Sequence, residues 1–303
     1  MWFKNLQIFK LLTPFEQTPE ALHEQLTERA ARDCGSLELS SFGWQPPLGR
    51  GAELLTHAAN GCVMICARRE ERLLPASVVR ELLDEKIAAL EEAEARKVRR
   101  KEREELKDEL IFELLPRAFV KSSRHYAYID TEANWLVVDA SSAKRAEELV
   151  SLLRETLGTL PAKPLDVAQA PASVMTAWLN GAESSAEFLI QDECELRDTV
   201  EAGGIIRCKQ QDLEGDELRT HLEAGKQVVK LALEWGERLG FVLSDDLSIK
   251  RLKFLDLILE EAASAEAEDA ATRFDVDFAL MSLELRRFIA RLVETCGGLA
   301  EET

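Results

Sequence analysis

The sequence predicts an α+β fold built from mixed sheets, with helical arms that project from the body. Apolar residues alternate with polar ones in several short segments, which is typical of half-buried strands. Elsewhere they recur at every third or fourth position, which is typical of amphipathic helices. Between residues 91 and 109 the apolar pattern nearly stops while charged residues continue. The helices around that segment are therefore expected to extend away from the core.

The first 70 residues predict three strands and one helix. The elements are, in order, a strand over 2–12, a helix over 19–32, a strand over 37–42 and a buried strand over 62–66. Thr18 can cap the helix, and Pro19 suits its first turn because that position needs no backbone N–H. Two prolines and two glycines within 43–49 predict a rigid loop.

The arms are predicted between Pro75 and Pro116. Large apolar residues follow a helical spacing over 78–90 and again over 110–115, and Val98 and Leu106 alone interrupt the charged stretch between them. A continuous helix over this length would measure about 60 Å at about 1.5 Å per residue, which is long for a globular protein. Two helices with a bend in the charged middle are the simpler interpretation.

The rest of the chain predicts a helix, a strand-rich part and a helical end. The predicted strands cover 124–130, 134–139, 188–190, 204–209, 226–235, 240–243 and 247–254, and the predicted helices cover 142–157, 171–180 and most of the chain after 254. Gly158 closes the first of these helices. Pro161, Pro164 and Pro171 predict a linker and a domain boundary.

These elements predict five parts. They are a central α+β region in two pieces, 1–74 and 117–165, a projecting helical arm over 75–116, a strand-rich base region over 166–270, and a C-terminal helical segment over 271–303 that packs on the central region.

The charge is large, negative and unevenly spread. The 303 residues contain 38 Lys and Arg against 56 Asp and Glu, a formal charge of -18. Evenly spread, that charge would exclude a nucleic-acid binder, because phosphates repel it. However, residues 96–107 sum to +4 and 226–254 to +2, whereas 260–303 sum to -7. Local basic strips can attract phosphate within a Debye length of about 8 Å.

Two basic segments are open to a DNA-binding and a structural interpretation. The charges over 91–109 also fit an ordinary solvated helix face. On a strand over 226–235, Lys226 and Lys230 would share a face with Val228. Together with the basic residues over 250–253 on a nearby strand, they could follow a phosphate backbone. Scattered surface lysines are the alternative.

No motif predicts an enzyme, a metal site or a cofactor. Cys62 and Cys66 lack a second ligand pair at zinc-site spacing, so we interpret them as buried thiols. The four histidines form no metal-binding pattern, and no P-loop, dinucleotide fingerprint or nucleophile elbow is present. A metal-dependent nuclease using Asp245 and Asp246 is kept as a rival. With no apolar run of membrane length and no signal-peptide pattern, we expect a cytoplasmic protein with reduced cysteines.

Several segments together resemble the RdgC family of bacterial recombination-associated proteins. The segments are 2–6 (WFKNL), 43–49 (GWQPPLG), 59–61 (ANG), 114–119 (LLPRAF), 223–226 (EAGK) and 251–254 (RLKF). They span nearly the whole chain in order. The resemblance implies a head-to-head dimer closed into a ring, with a basic hole that encircles double- or single-stranded DNA with little sequence preference. It also implies restraint of the recombinase RecA, nucleoid association and no catalytic activity.

Particular residues can be assigned to the interfaces of such a ring and to its contacts with DNA. A ring of two copies needs two symmetric interfaces, and the arms are candidates for one of them. Its candidate residues are Leu114, Leu115 and Phe119, although Phe119 could equally be a core residue. Strand edges would supply the second interface. The candidate DNA contacts are Arg96, Lys97, Arg99, Arg100, Lys101, Lys121, Arg124, Lys209, Lys226, Lys230, Lys250, Arg251 and Lys253. The alternative function is an acidic dimeric scaffold that binds recombination proteins directly.

Overall fold

The computed structural model describes all residues except 50, 183–186, 201–202, 214, 266 and 302–303, so the last two residues of the predicted C-terminal segment lie outside it. Within the described residues the chain forms twelve strands and eight α-helices. The strands are β1 Gln7–Leu11, β2 Ser40–Gln45, β3 Thr56–Ala59, β4 Cys62–Arg72, β5 Val120–Asp130, β6 Trp135–Val138, β7 Ala162–Pro164, β8 Phe188–Arg197, β9 Ile205–Lys209, β10 Gln227–Trp235, β11 Leu239–Ser244 and β12 Ile249–Phe254. The helices are α1 Pro19–Thr27, α2 Ala76–Glu94, α3 Arg100–Leu114, α4 Ala143–Leu157, α5 Pro171–Leu179, α6 Asp216–Glu223, α7 Asp256–Ser264 and α8 Ala270–Thr295.

The first sheet has seven strands in the order β2-β4-β5-β6-β1-β7, with β3 also on β4. Its long central pair, β4 and β5, is in register from Cys62 opposite Asp130 to Arg72 opposite Val120. Both faces are covered near the start of β4, which explains its continuous apolar run. The polar second half of β4 and first half of β5 extend beyond this core.

The second sheet has five strands in the order β12-β11-β10-β8-β9. Side chains of β10 alternate between a buried inner face, formed by Leu231, Leu233 and Trp235, and a half-buried outer face that includes Lys230 and Glu234. The inner face packs into the main core. The outer face is therefore the one that carries charged groups.

Helix α8 joins the two sheets. Its buried residues recur at helical spacing and form one apolar stripe. On that stripe Phe278 lies 6.0 Å from Tyr128 of the first sheet, and Phe288 lies 4.8 Å from Phe241 of the second, between ring centroids. Arg286 adds an ion pair of 2.6 Å to Asp130, a residue that is almost fully buried. One apolar cluster consequently includes residues of both sheets.

The two helices predicted for the arm are present, and the bend lies in the charged middle as expected. Helix α2 ends at Glu94 and α3 begins at Arg100. The two helices share a small apolar cluster of their own, built on Val79, Leu83, Ile87 and Leu110. Helix α3 begins earlier than its apolar residues suggest, because its first turns are stabilised by charged pairs such as Arg100 with Glu104.

The prediction of an α+β fold is confirmed, but the sheets are antiparallel rather than mixed. All strand pairs in the described residues run antiparallel. The segment 43–49 is also not entirely a loop, since Gly43–Gln45 complete β2 opposite β4. Gly43 is needed there because a side chain would meet the backbone of Ala31 at 2.8 Å.

Other boundaries differ for local reasons. Helix α1 ends at Thr27 because the chain after it bonds to Trp44, with the Ala31 N–H 2.7 Å from the Trp44 carbonyl. Strand β1 begins at Gln7, after a segment that pairs with β12 instead. The proline-rich linker contains β7, which pairs with β1. Strand β3 and helix α6 were not predicted. In the described part of the chain, no helix is both long and apolar enough to cross a membrane.

Candidate nucleic-acid interface

Cations on the outer face of the second sheet surround one buried carboxylate. Register places Lys230 of β10 opposite Glu195 of β8, and Glu195 opposite Arg207 of β9. The Glu195 side chain is 7% exposed and forms ion pairs of 2.9 Å with both cations and 3.1 Å with Arg197. Burial opposes ionisation of Glu195, but Arg207 and Lys230 outweigh it and lower its pKa to about 2. The charges of Lys230, Arg207 and Arg197 are therefore largely compensated by ion pairs with Glu195.

Other predicted contacts on this sheet are also paired. Lys226 lies 2.5 Å from Asp198 and is only 14% exposed. Lys209 and Arg251 both reach Glu193, at 3.9 and 2.8 Å. Since Arg251 is on β12 and Glu193 on β8, this pair crosses the outer face.

The prediction that Lys226, Val228 and Lys230 share a face is wrong. Val228 pairs with Leu196 and Lys230 pairs with Glu195, so Val229 between them is the extra residue of a β-bulge. Because of this bulge, Val228 and Val229 are both buried. Strict alternation cannot predict such a break in register.

A second group of cations lines a cleft of about 460 Å³ beside the first sheet. Lys121 and Arg124 come from the polar half of β5, and Lys144 and Arg145 from the first turn of α4. Lys4 completes the cleft. All five are exposed, and no ion pair to a carboxylate is found for them among the described residues.

The carboxylates of this cleft are already engaged. Glu71 and Glu148 pair with Arg69 at 3.6 and 2.7 Å. Asp139 accepts hydrogen bonds from the backbone N–H groups of Lys4 and Asn5 at 3.2 and 3.0 Å. The cleft therefore keeps an excess of positive charge that is open to solvent.

The nearby histidine reflects this positive environment. Burial lowers the pKa of His125, and the charges of Arg69 and Arg145 lower it further. Its ring lines the same cleft and lies 3.1 Å from the Ser123 hydroxyl. His125 is thus favoured in its neutral form, and the arginines and lysines carry the charge of the cleft.

Lys4 connects the cleft to the second sheet. The Leu252 N–H donates to the Lys4 carbonyl at 2.8 Å, and Leu6 pairs with Ile249. Two further cations on β12, Lys250 and Lys253, adjoin this segment and have no carboxylate partner in the described residues. We call the seven cations the basic strip: Lys4, Lys121, Arg124, Lys144, Arg145, Lys250 and Lys253.

The predicted contacts on the arm lie far along α2 and α3 from this strip and are mostly paired locally. Arg96 pairs with Glu94 at 2.6 Å and with Glu102 at 2.5 Å, and Lys97 with Glu91 at 2.9 Å. Further ion pairs join Arg100 to Glu104 and Lys101 to Glu105. Arg99 precedes α3 as its N-cap residue. Four of the five predicted cations of the arm are thus paired with carboxylates of the arm itself.

The candidate interface residues at the base of the arm differ in exposure. Phe119 is 84% exposed, so it is not a core residue of its own chain. Leu114 is half-buried, and Leu115 is 2% exposed and packs within the chain. We therefore remove Leu115 from the candidate interface. The Leu73 N–H donates to the Phe119 carbonyl at 2.8 Å, and Leu74 beside it lines a groove of about 430 Å³. The other lining residues are Leu39, Ala76, Val79, Arg80, Leu83, Arg103, Lys107 and Ile111.

Comparison with known proteins identifies the family. A family model described as "Putative exonuclease, RdgC" matches residues 1–299. The recombination-associated protein RdgC of Aeromonas hydrophila is 51% identical over 298 residues, which cover 98% of each chain. The chain belongs to the RdgC family. Relatives with the same name from Tolumonas auensis and Pseudomonas aeruginosa are 47% and 45% identical, each over 98% of this chain and at least 98% of the relative.

The rival prediction of a nuclease used Asp245 and Asp246, which lie between β11 and β12. Asp246 accepts hydrogen bonds from the Ser248 N–H and hydroxyl, at 3.0 and 2.5 Å, and so shapes the turn between β11 and β12. Among the described residues no group of three or more His, Cys, Asp and Glu is arranged to hold a metal ion.

Sequence reasoning missed five cations that the fold brings to these surfaces. They are Lys4, Lys144, Arg145, Arg197 and Arg207. Two signals could have found some of them. Arg207 and Lys209 alternate on a predicted strand, and Lys144 and Arg145 follow the Ser142 that begins a predicted helix. Lys4 carries no such signal, because its place depends on pairing with β12.

Proposed function

We propose that this RdgC-family chain binds double- and single-stranded DNA without sequence preference, as a homodimer closed into a ring. The basic strip is the observation that supports the proposal. Its seven cations have no carboxylate partner in the described residues and are nearly all exposed. Lys and Arg in this state neutralise phosphates and release counterions.

The other predicted cations have a smaller part in this proposal. Arg207, Lys209, Lys226, Lys230 and Arg251 are held by carboxylates, so contact with a phosphate would require a pair to open or to be shared. The same holds for Arg96, Lys97, Arg100 and Lys101 on the arm. We therefore assign the main phosphate contacts to the basic strip and secondary contacts to the outer face of the second sheet.

Phe119 and the neighbouring groove support one interface of the dimer. An aromatic side chain that is 84% exposed is costly in water and is typical of an interface anchor. Most residues that line the groove are apolar, and its volume is larger than that of one phenyl ring. In a two-fold arrangement each Phe119 would enter the groove of the other copy, so one contact is made twice. Strand edges remain the candidates for the second interface.

The family and its relatives' names support a role in recombination. A ring around DNA would occupy the strand on which a recombinase filament must assemble. We propose that this chain limits access of RecA to DNA by occupancy, in the cytoplasm at the nucleoid. No enzymatic step is part of this function.

The ring is tested by three measurements: the mass of the protein in solution, its retention on circular and linear duplex, and the salt dependence of its affinity. Gel filtration with light scattering should give the mass of a dimer. Pre-bound protein should stay on relaxed circular duplex and leave the same duplex after linearisation, because a closed ring slides off free ends. Log affinity should fall with log salt by about 0.9 per phosphate neutralised. Equal retention on both forms would contradict a closed ring.

Phe119→Asp tests the interface within the same design. We expect dimers to dissociate and topological retention to be lost, while fast binding to short duplex persists. Phe112→Asp is the matched control, because Phe112 is also exposed, at 57%, but is not among the residues that line the groove. Dissociation by both variants would contradict the specific role of Phe119.

The rival functions are outcomes of the same assays. Affinity that does not change with salt would favour the acidic scaffold that binds recombination proteins directly. Labelled duplex incubated with Mg²⁺ would show shortened products if the family's exonuclease description applied to this chain.

A further inference from the structure

Two cysteines face one another across neighbouring strands of the second sheet. Cys194 of β8 is directly opposite Cys208 of β9 in the antiparallel register. Residues in this relation have β-carbons about 4.5–5.5 Å apart, close to the about 3.5–4.5 Å of a disulfide. Cys194 belongs to the main apolar cluster, and Cys208 packs against that cluster from the neighbouring strand, so both side chains lie on the inner face of the sheet. A bond between the sulfurs therefore needs only a small movement.

We propose that Cys194 and Cys208 form a reversible disulfide, an oxidation site that is separate from the basic strip. The site responds to peroxide and is restored by thiol reductants. It does not depend on the proposed DNA-binding function.

Access to solvent distinguishes Cys208 from the other thiols. Cys208 is partly exposed and lines a cavity of about 510 Å³ between β9 and α6, whereas the other five cysteines are buried. Arg207, His221, Asp212 and Glu217 line the same cavity. Cys194 is 2% exposed, and burial together with Cys208 raises its pKa to about 12. Cys208 is accordingly the sulfur that meets the oxidant, and Cys194 is the one that resolves it.

The chemistry balances with hydrogen peroxide as the oxidant. The Cys208 sulfur attacks one peroxide oxygen, the O–O bond breaks, and the products are a sulfenic acid and one water. The Cys194 sulfur then attacks the Cys208 sulfur, the S–O bond breaks, and a second water leaves with the thiol proton. Overall, two thiols are oxidised to one disulfide and one peroxide is reduced to two waters.

The bond would fix the position of an edge strand. Strand β9 pairs with β8 and is the last strand in the order of its sheet. Cys208 lies between Arg207 and Lys209, whose partners Glu195 and Glu193 flank Cys194. A disulfide at this point would lock these ion pairs in register, so amide exchange in β9 should slow on oxidation.

The experiment treats the full-length protein with a small excess of hydrogen peroxide, removes the peroxide, and then unfolds the protein in guanidinium chloride with iodoacetamide so that every remaining thiol is blocked. Intact mass should show the loss of two hydrogens and four alkylated cysteines. Peptide mapping without reduction should join the peptides of Cys194 and Cys208, and dithiothreitol should separate them. Amide exchange in β9 should be slower in the oxidised form.

Two variants make the test specific. Cys208→Ser should abolish the cross-link. Cys34→Ser should leave it intact, and its hydroxyl can keep the existing bond to the Glu38 carbonyl. If wild-type Cys208 instead accumulates as sulfinic acid, or if the disulfide joins a different pair, the proposal is wrong. DNA binding is not a readout here, so failure of this proposal is distinct from failure of the ring.

Discussion

The outer face of the second sheet and the cleft beside the first sheet both collect cations, but they differ in what those cations face. On the sheet, Arg197, Arg207 and Lys230 converge on the buried carboxylate of Glu195. In the cleft, the acidic residues are occupied by Arg69 and by backbone N–H groups, and the cations are left open. Whether a lysine or arginine is available to phosphate therefore depends on the carboxylates near it, and not on how many cations the surface carries.

The largest expected effect follows from reversing charge in the cleft. Lys121→Glu with Lys144→Glu should weaken duplex binding about a hundredfold near 0.1 M salt, for all sequences alike. The slope of log affinity against log salt should fall by about 2, since two phosphate contacts are lost. Fluorescence anisotropy across a salt series measures both quantities.

Thermal unfolding of the same variant is the control. Both lysines are exposed and have no carboxylate partner in the described residues, so the fold should keep its stability. Unchanged affinity in a folded variant would remove the cleft from the interface.

Acid should destabilise the second sheet through Glu195. Its pKa of about 2 in the folded chain lies below the usual 4.5. The resulting stability is complete above pH 4.5 and is lost as the pH falls toward 2, on the order of 2–3 kcal/mol. Glu195→Gln should lack this contribution to stability. Its free energy of unfolding should therefore be well below that of wild type at pH 7 and equal to it near pH 2.

Urea unfolding at pH 7, 5 and 3 measures this difference. Glu193→Gln is the matched control, because Glu193 carries fewer close partners and is more exposed, at 26%. Parallel pH profiles of Glu195→Gln and wild type would show that the pairs contribute no net stability.

Glu195→Gln should also make the outer face of the second sheet more like the cleft in its binding of duplex. Without its carboxylate, Arg207 and Lys230 become available to phosphate. We expect affinity for duplex to rise about three- to tenfold, and the salt slope to steepen by about 1. Circular dichroism at the temperature of the binding measurement should show that the variant is folded. A lower affinity would mean that Glu195 positions these cations for DNA rather than withholding them.

The smallest effect is expected on the arm. Arg100→Glu with Lys101→Glu reverses two fully exposed charges that pair with Glu104 and Glu105. Affinity should change less than twofold, because these pairs already balance the local charge. The double variant matches the cleft variant in total charge, so a similar loss in both would show that net charge alone governs binding.

Much of the fold could be predicted from the sequence. The arm was recognisable because the apolar pattern stops within 91–109 and resumes after it, and its two helices lie as expected. The boundaries of β1, β2 and α1 were not, because residues 4–6 bond to β12 near the other end of the chain and residues 29–31 bond to Trp44 of β2. Local pattern contains no information on such partners.

The candidate site was predictable only in part. Lys121, Arg124, Lys250 and Lys253 were named from the sequence and belong to the basic strip. Lys226 and Lys230 were named on the same grounds but are held by Asp198 and Glu195. Lys4, Lys144 and Arg145 were not named, because the local pattern does not show that the segment before β1 and the first turn of α4 line the same cleft.

The sequence by itself determined the fold class, the arm, the uneven distribution of charge and the family resemblance, because periodicity, composition and short motifs are local properties. The tertiary structure decided which cations are free. Lys230 meets Glu195 from 35 residues away, and a bulge at Val229 fixes that meeting. Coulomb attraction acts over a few ångströms in space, so the charge that reaches a ligand depends on distances that only folding sets.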